Sequence, residues 1–135
     1  MNQSTLKNPF PSLYGLTILL VEPEPEARAF YSHQLEGLQM KVVQLDNPEV
    51  MLSKVQKESP DAVILNPTQN MPKALKFLGN LKQEHPFLPV ITMTMTMPDD
   101  ALDAIMQTGV SMHINRELTR PRDLFLALEQ ILSMK

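Results

Sequence analysis

The sequence contains no cysteine. That excludes disulfides, thiolate nucleophiles and thiolate metal sites, and it suits a cytoplasmic protein. It has only four glycines in 135 residues, so no glycine-rich loop is present to cradle the phosphates of a nucleotide or flavin. No apolar run approaches the ~20 residues that a membrane span requires, and Met1 to Gly15 lacks the continuous apolar core of a signal peptide. The formal charge of −3 is spread over mixed acids and bases, so nucleic acid is not an expected partner. His33, His85 and His113 are scattered without zinc-ligand spacing, and no metal site is expected from them.

What the chain has is an alternation of short apolar runs and amphipathic stretches. The centre is Asp61 to Pro67 (DAVILNP). Four uninterrupted apolar residues between an acidic turn and an Asn-Pro break describe a strand buried on both faces. Such strands lie in the middle of parallel sheets, and ligands bind beyond their carboxyl ends. Asn66 stands at that end, and Pro67 cannot continue a central strand.

Thr17 to Val21 reads as the first strand. It stops at Glu22-Pro23-Glu24-Pro25-Glu26, where prolines block a ladder and acids suit the first turn of a helix. That helix begins at Pro25, turns Ala29, Phe30, His33, Leu35 and Leu38 inward, and ends near Gly37. Lys41 to Leu45 is a second strand; Asp46 or Asn47 caps the next helix, with Pro48 in its first turn. A helix follows from Pro72 to Glu84 with Leu75, Leu78 and Leu81 inward. Leu88 to Thr94 is a strand, and a helix opens at Pro98-Asp99-Asp100. Val110 to Ile114 is the last strand, and Thr119 caps a last helix running from Pro121 through Leu124, Leu126, Leu128 and Leu132. No two strands are joined by a two-residue hairpin, so β-helix-β crossovers are the economical topology. The expected fold is a doubly wound α/β domain over residues 16–135, preceded by a polar extension (1–15) whose Phe10, Leu13 and Tyr14 either dock or fray.

Several segments resemble, in order and spacing, the CheY-like receiver domain of bacterial response regulators. They are ILLVE (Ile18–Glu22) with Arg28 downstream, PDAVILN (Pro60–Asn66), LKFL (Leu75–Leu78), LPVITMT (Leu88–Thr94) and Thr108-Gly109-Val110. The resemblance implies a flavodoxin-like (βα)5 fold with strand order 2-1-3-4-5. It also implies a site at which an aspartate accepts a phosphoryl group with help from Mg²⁺. On that pattern the acidic pair of the first strand falls on Glu22 and Pro23. The phospho-accepting aspartate falls on Asn66, the hydroxyl on Thr94, the lysine on Arg116, and the proline after it on Glu117. Met95 stands where a small residue is usual, and His113 at the aromatic switch position.

An amide cannot form an acyl phosphate, and Pro23 removes a second oxygen ligand. The expectation is therefore a pseudo-receiver: no enzymatic activity, no cofactor, no metal, and Arg116 reaching Glu22 or Asn66 in place of an ion. Glu22 to Glu26 is also readable as an acidic helix start only, and Asn66 as a strand-end cap. The alternative is an atypical regulator that keeps residual cation or phosphate binding at Glu22 and Glu24, or one that acts on a histidine kinase within a phosphorelay.

The tract Met93 to Met97 (MTMTM) alternates along an extended chain, with Met93 in the core and Met95 and Met97 at the surface. Met95, Met97, Asp99, His113 and Glu117 form the expected interaction face. The partner is another signalling protein, or a second copy in a weak homodimer through the face of the fourth helix, fifth strand and fifth helix.

Overall fold

The computed structural model describes residues 9–133. Five strands are each followed by a helix: β1 (Thr17–Val21), α1 (Pro25–Glu36), β2 (Lys41–Leu45), α2 (Met51–Glu58), β3 (Ala62–Leu65), α3 (Met71–Glu84), β4 (Val90–Thr94), α4 (Asp99–Met106), β5 (Met112–Asn115) and α5 (Pro121–Ser133). The strands form one parallel sheet in the order β2-β1-β3-β4-β5. This is the doubly wound, flavodoxin-like arrangement, with the order reversing beside β1 and β3.

Alternation along the strands divides the core into two layers. Ile18, Leu20, Ala62, Ile64, Ile91 and Met93 point to one face, where Leu35 and Leu38 meet Leu124, Phe125 and Leu128 of α5. Leu19, Val21, Val63, Leu65 and Val90 point to the other, against α2, α3 and α4 through Met51, Val55, Leu78, Leu81 and Ile105. Every residue of β3 is buried, as its uninterrupted apolar run requires of a central parallel strand.

The extension docks on the first layer. Phe10 and Leu13, flanking and ending a 3₁₀ turn (Pro11–Leu13), are buried. The Phe10 ring meets Phe125 edge-on at 5.6 Å between centroids, and Ser12 Oγ donates to Glu129 Oε2 at 2.8 Å. Tyr14 stays exposed. Residues 1–8 of the extension, and the last two of the chain, lie outside the described residues.

Several local expectations are corrected. In α1, Ala29, Phe30 and His33 are exposed, while Ser32 and Leu35 are buried with Tyr31 packed beside them. Both sides of this helix carry an aromatic residue, so its periodicity does not choose a face. The α2 helix starts at Met51, without a side-chain cap. Asn47 instead closes a turn by accepting the Glu49 N–H at 2.9 Å, and Pro48 O accepts from Met51. β4 begins at Val90 and β5 at Met112, each two residues later than expected. The start of α5 is held by Asp123, whose carboxylate accepts the Arg120 N–H at 3.1 Å, and Leu126 faces solvent.

Candidate functional site

The carboxyl ends of β1 and β3 open where the strand order reverses, and the chain places three polar side chains there. Glu22 directly follows β1, and its N–H is bonded to Leu45 O. Asn66 directly follows β3, with its N–H on Val21 O. Arg116 directly follows β5, in a 3₁₀ turn (Arg116–Leu118).

Glu22 is only 1% exposed, and a buried carboxylate must be neutralised or solvated by hydrogen bonds. Three groups do this. Arg116 Nη2 forms an ion pair with Glu22 Oε1. Asn66 Nδ2 donates toward both carboxylate oxygens, at 3.1 and 3.2 Å. The Glu24 N–H donates to Oε2 at 2.9 Å. Arg28 Nη1 fixes the same residue's backbone through Glu22 O at 2.7 Å.

These contacts also define the Asn66 amide. A carboxylate only accepts, so the NH₂ group faces Glu22. The amide oxygen accepts from Thr68 N at 3.1 Å and Thr68 Oγ1 at 2.7 Å, an Asx turn that closes the loop after β3. Arg116 is held from its other side by Tyr31, whose ring centroid lies 5.0 Å from the guanidinium carbon, a cation–π contact. Burial lowers the Arg116 pKa, yet a guanidinium keeps its charge in proteins. The Arg116 Nε–H is buried among the described residues without a hydrogen-bond partner, a cost set against the ion pair and the stacking.

Pro23 lies beside this centre and offers no donor or carboxylate. Glu24 does not reach back to Glu22 with its side chain. Both of its oxygens cap α1, accepting from Glu26 N at 3.1 Å and Ala27 N at 2.5 Å. Of the two readings of the Glu-Pro-Glu-Pro-Glu stretch, Glu24 and Glu26 thus belong to the helix start, and Glu22 alone belongs to the site. Among the described residues there is no group of three or more His, Asp or Glu able to hold a metal ion.

Thr94, at the end of β4, is fully buried, and its hydroxyl donates to Met95 O at 2.7 Å. It also lies 3.3 Å from His113 Nε2, while His113 Nδ1 is 2.9 Å from Thr92 Oγ1. Thr92 and His113 are register partners on β4 and β5. Because the Thr94 hydrogen is given to Met95 O, its oxygen is the acceptor toward Nε2. The neutral imidazole then carries its proton on Nε2 and accepts from Thr92 at Nδ1. Burial pushes the His113 pKa below its ordinary 6.5.

The expected interaction face is only partly assembled. Met95 is exposed and Asp99 lies in the exposed first turn of α4. Glu117 Oε1 accepts the Thr96 N–H at 2.9 Å, and Asn115 Nδ2 donates to Thr96 Oγ1 at 3.0 Å, so the bend after β4 is clamped to the turn after β5. Two members of that face, Met97 and His113, are half-buried. The strand ends at Thr94, and Met97 turns back to pack on the layer containing Ile105. His113 commits both ring nitrogens to threonines. Tyr31, Thr68 and Thr92, which complete these contacts, had no signal in the sequence beyond being polar or aromatic near a strand end or helix start.

A crossover site ringed by loops at the carboxyl ends of a 2-1-3-4-5 sheet places the chain in the flavodoxin-like class of α/β folds. The model of the response regulator receiver domain matches residues 18–129, and the chain belongs to that family. Similar solved structures include chemotaxis protein CheY4 of Vibrio cholerae, 18% identical over 87% of this chain and 98% of that one, with a TM-score of 0.77. A CheY-like receiver domain protein of Methanospirillum hungatei is 17% identical over 89% and 95%, with a TM-score of 0.80. A putative response regulator of Chloroflexus aurantiacus is 20% identical over 88% and 98%, with a TM-score of 0.79. At these identities the likeness is one of fold. No curated protein matches the sequence. Among the described residues, no helix is long and apolar enough to cross a membrane.

Proposed function

We propose that this receiver domain works as a protein-interaction module without aspartyl phosphorylation and without catalysis of its own. The observation that carries the reading is the internal neutralisation of Glu22 by Arg116 and Asn66. In the family a metal ion and a phosphoryl group supply the charges at this place. Here a guanidinium and an amide satisfy the one buried carboxylate.

Every other component supports the same reading. Asn66 offers no carboxylate to form an acyl phosphate, and its NH₂ group is turned toward Glu22. Glu24 is committed to the helix N-terminus, and the Thr94 hydroxyl to Met95 O. A ligand shifts a conformational equilibrium only by binding its two states differently. With no phosphate to do so, the state of this domain is set by its sequence and by its partner, another signalling protein that meets it near Met95 and Glu117.

The test is incubation with acetyl phosphate and Mg²⁺ followed by intact-mass measurement. The expected mass is unchanged, and an acid-labile phosphate adduct overturns the reading. Asn66→Asp alone is expected to remain a poor acceptor, because Pro23 still supplies no ligand and Arg116 still occupies Glu22. That variant places a second carboxylate against Glu22, so it should be less stable at pH 7 by about 1–3 kcal/mol. The loss should shrink in acid, where the introduced carboxyl group, once protonated, can donate as the amide does; urea midpoints at two pH values measure it.

A further inference from the structure

Between Lys82 and Arg116 the chain carries no lysine or arginine, yet this stretch holds Met93, Met95, Met97, Met106 and Met112, half of its ten methionines. The fold brings acids and methionines together at α4. Asp99, Asp103 and Met106 stand at i, i+4 and i+7, along one face of that helix. All three are exposed, with exposed Asp100 beside them, while Ile105 on the other side is buried in the second layer. Among the described residues none of these three carboxylates is in an ion pair, and the last turn of α4 offers no basic side chain to compensate them.

The two ends of this acidic face are apolar. Met95, 55% exposed, stands just ahead of α4, and Met106, 43% exposed, ends it. A fourth carboxylate, Glu117, is fixed close to Met95 because it accepts the Thr96 N–H at 2.9 Å. Exposed methionines form an adaptable apolar floor, and carboxylates with no cation among them attract positive charge. A helix with an apolar stripe bordered by lysines or arginines meets both requirements. A second copy of this chain does not, since a two-fold contact centred on α4 would set carboxylates against carboxylates.

We propose that the outer face of α4 docks a basic amphipathic helix of the signalling partner, with its apolar stripe on Met95 and Met106 and its cations against Asp99, Asp100 and Asp103. The proposal rests on the reading of the domain as a protein-interaction module, and not on its silence toward phosphate. Two methionines and a row of solvated carboxylates make a weak contact, steered by charge and sensitive to salt.

The probe is a synthetic peptide of about 15 residues, long enough for a helix, with leucines at i, i+3, i+4 and i+7 and lysines elsewhere. Titrated into the isotope-labelled domain, it should shift amide and methionine-methyl NMR signals of α4, Met95 and Met106. Its affinity should fall about tenfold or more between roughly 20 mM and roughly 300 mM salt. The same peptide with glutamates for lysines should not bind, and a scrambled lysine peptide without the stripe should bind far more weakly. Asp99→Asn combined with Asp103→Asn should weaken binding about 3- to 10-fold, and Met106→Ser should weaken it too, with circular dichroism unchanged. If the double variant loses helix, Asp103→Asn alone, in the middle of α4, carries the comparison. Leu126→Ser, on α5, should bind as wild type does. Failure of the striped lysine peptide to bind, equal binding of the scrambled one, or shifts that avoid α4 overturn the proposal. So does full affinity in the folded aspartate variants. A phosphate adduct in the acetyl phosphate assay, with the peptide still bound on α4, overturns the phosphorylation-independent reading and leaves this surface standing.

Discussion

At the scale of single residues, the fate of Glu22 governs the site. A carboxylate this deeply buried destabilises a fold unless its charge is answered, and the answer comes from a residue 94 positions later in the chain. Arginine suits the task because its planar group can donate to an oxygen edge-on while its face lies on Tyr31. Arg116→Ala would leave Glu22 with hydrogen bonds from Asn66 and Glu24 but no countercharge. We expect a loss of about 3–5 kcal/mol in denaturant unfolding. Arg116→Lys should recover only part of it, since an ammonium has one charge centre and no plane to stack. The amide at 66 and the proline at 23 were legible in the sequence as departures from the receiver pattern. The role of the amide as a donor to Glu22 was not, because it depends on two strand ends being neighbours.

At the scale of elements, β4 and β5 are joined by more than their ladder. His113 spans Thr92 and Thr94, and Asn115 and Glu117 clamp the bend at Thr96. The histidine makes this junction sensitive to pH. Its native pKa lies below the 6.5 of an unperturbed imidazole, so the unfolded chain takes up the proton first as the pH falls. This contribution to stability is whole above about pH 6.5 and declines as the pH drops through the native pKa. Urea midpoints should therefore fall more steeply from pH 7 to pH 5 in the wild type than in His113→Phe. An NMR titration should find the His113 ring protonating below the ordinary histidine range.

The extension is a second such element. Leu13 is fully buried against the α1–α5 layer, so Leu13→Ala should cost about 2–5 kcal/mol. Tyr14→Ala beside it, at an exposed position, should change the unfolding midpoint little. The apolar residues Phe10, Leu13 and Tyr14 were visible as a patch. Which of them docks was decided by the geometry of the turn at Pro11.

At the scale of the whole molecule, the domain keeps the receiver architecture while the centre that would couple it to phosphate is internally satisfied. Addition of millimolar Mg²⁺ or beryllofluoride should leave both the thermal midpoint and the amide NMR spectrum unaltered, since neither finds a vacant carboxylate pair to bind. A rise in midpoint, or broad shifts through β4, α4 and β5, would contradict the closed centre.

The sequence by itself determined the five β-α repeats, the buried central strand, the crossover topology and the identity of the side chains at each strand end. Those follow from short-range rules: apolar runs of fixed length, prolines that interrupt ladders, and the absence of hairpin turns. Only the tertiary structure decided that Arg116 pairs with Glu22 and not with Asn66, that α1 buries Ser32 and packs Tyr31 in place of Phe30 and His33, that Met97 is half-buried while Met95 stays out, and that His113 bridges two threonines. Each of these joins residues distant in the chain, or selects between two faces of similar polarity, and local pattern carries no information about which distant group will be near. The order of the strands brings the ends of β1, β3 and β5 to one side of the sheet, where a buried negative charge draws in the guanidinium that neutralises it.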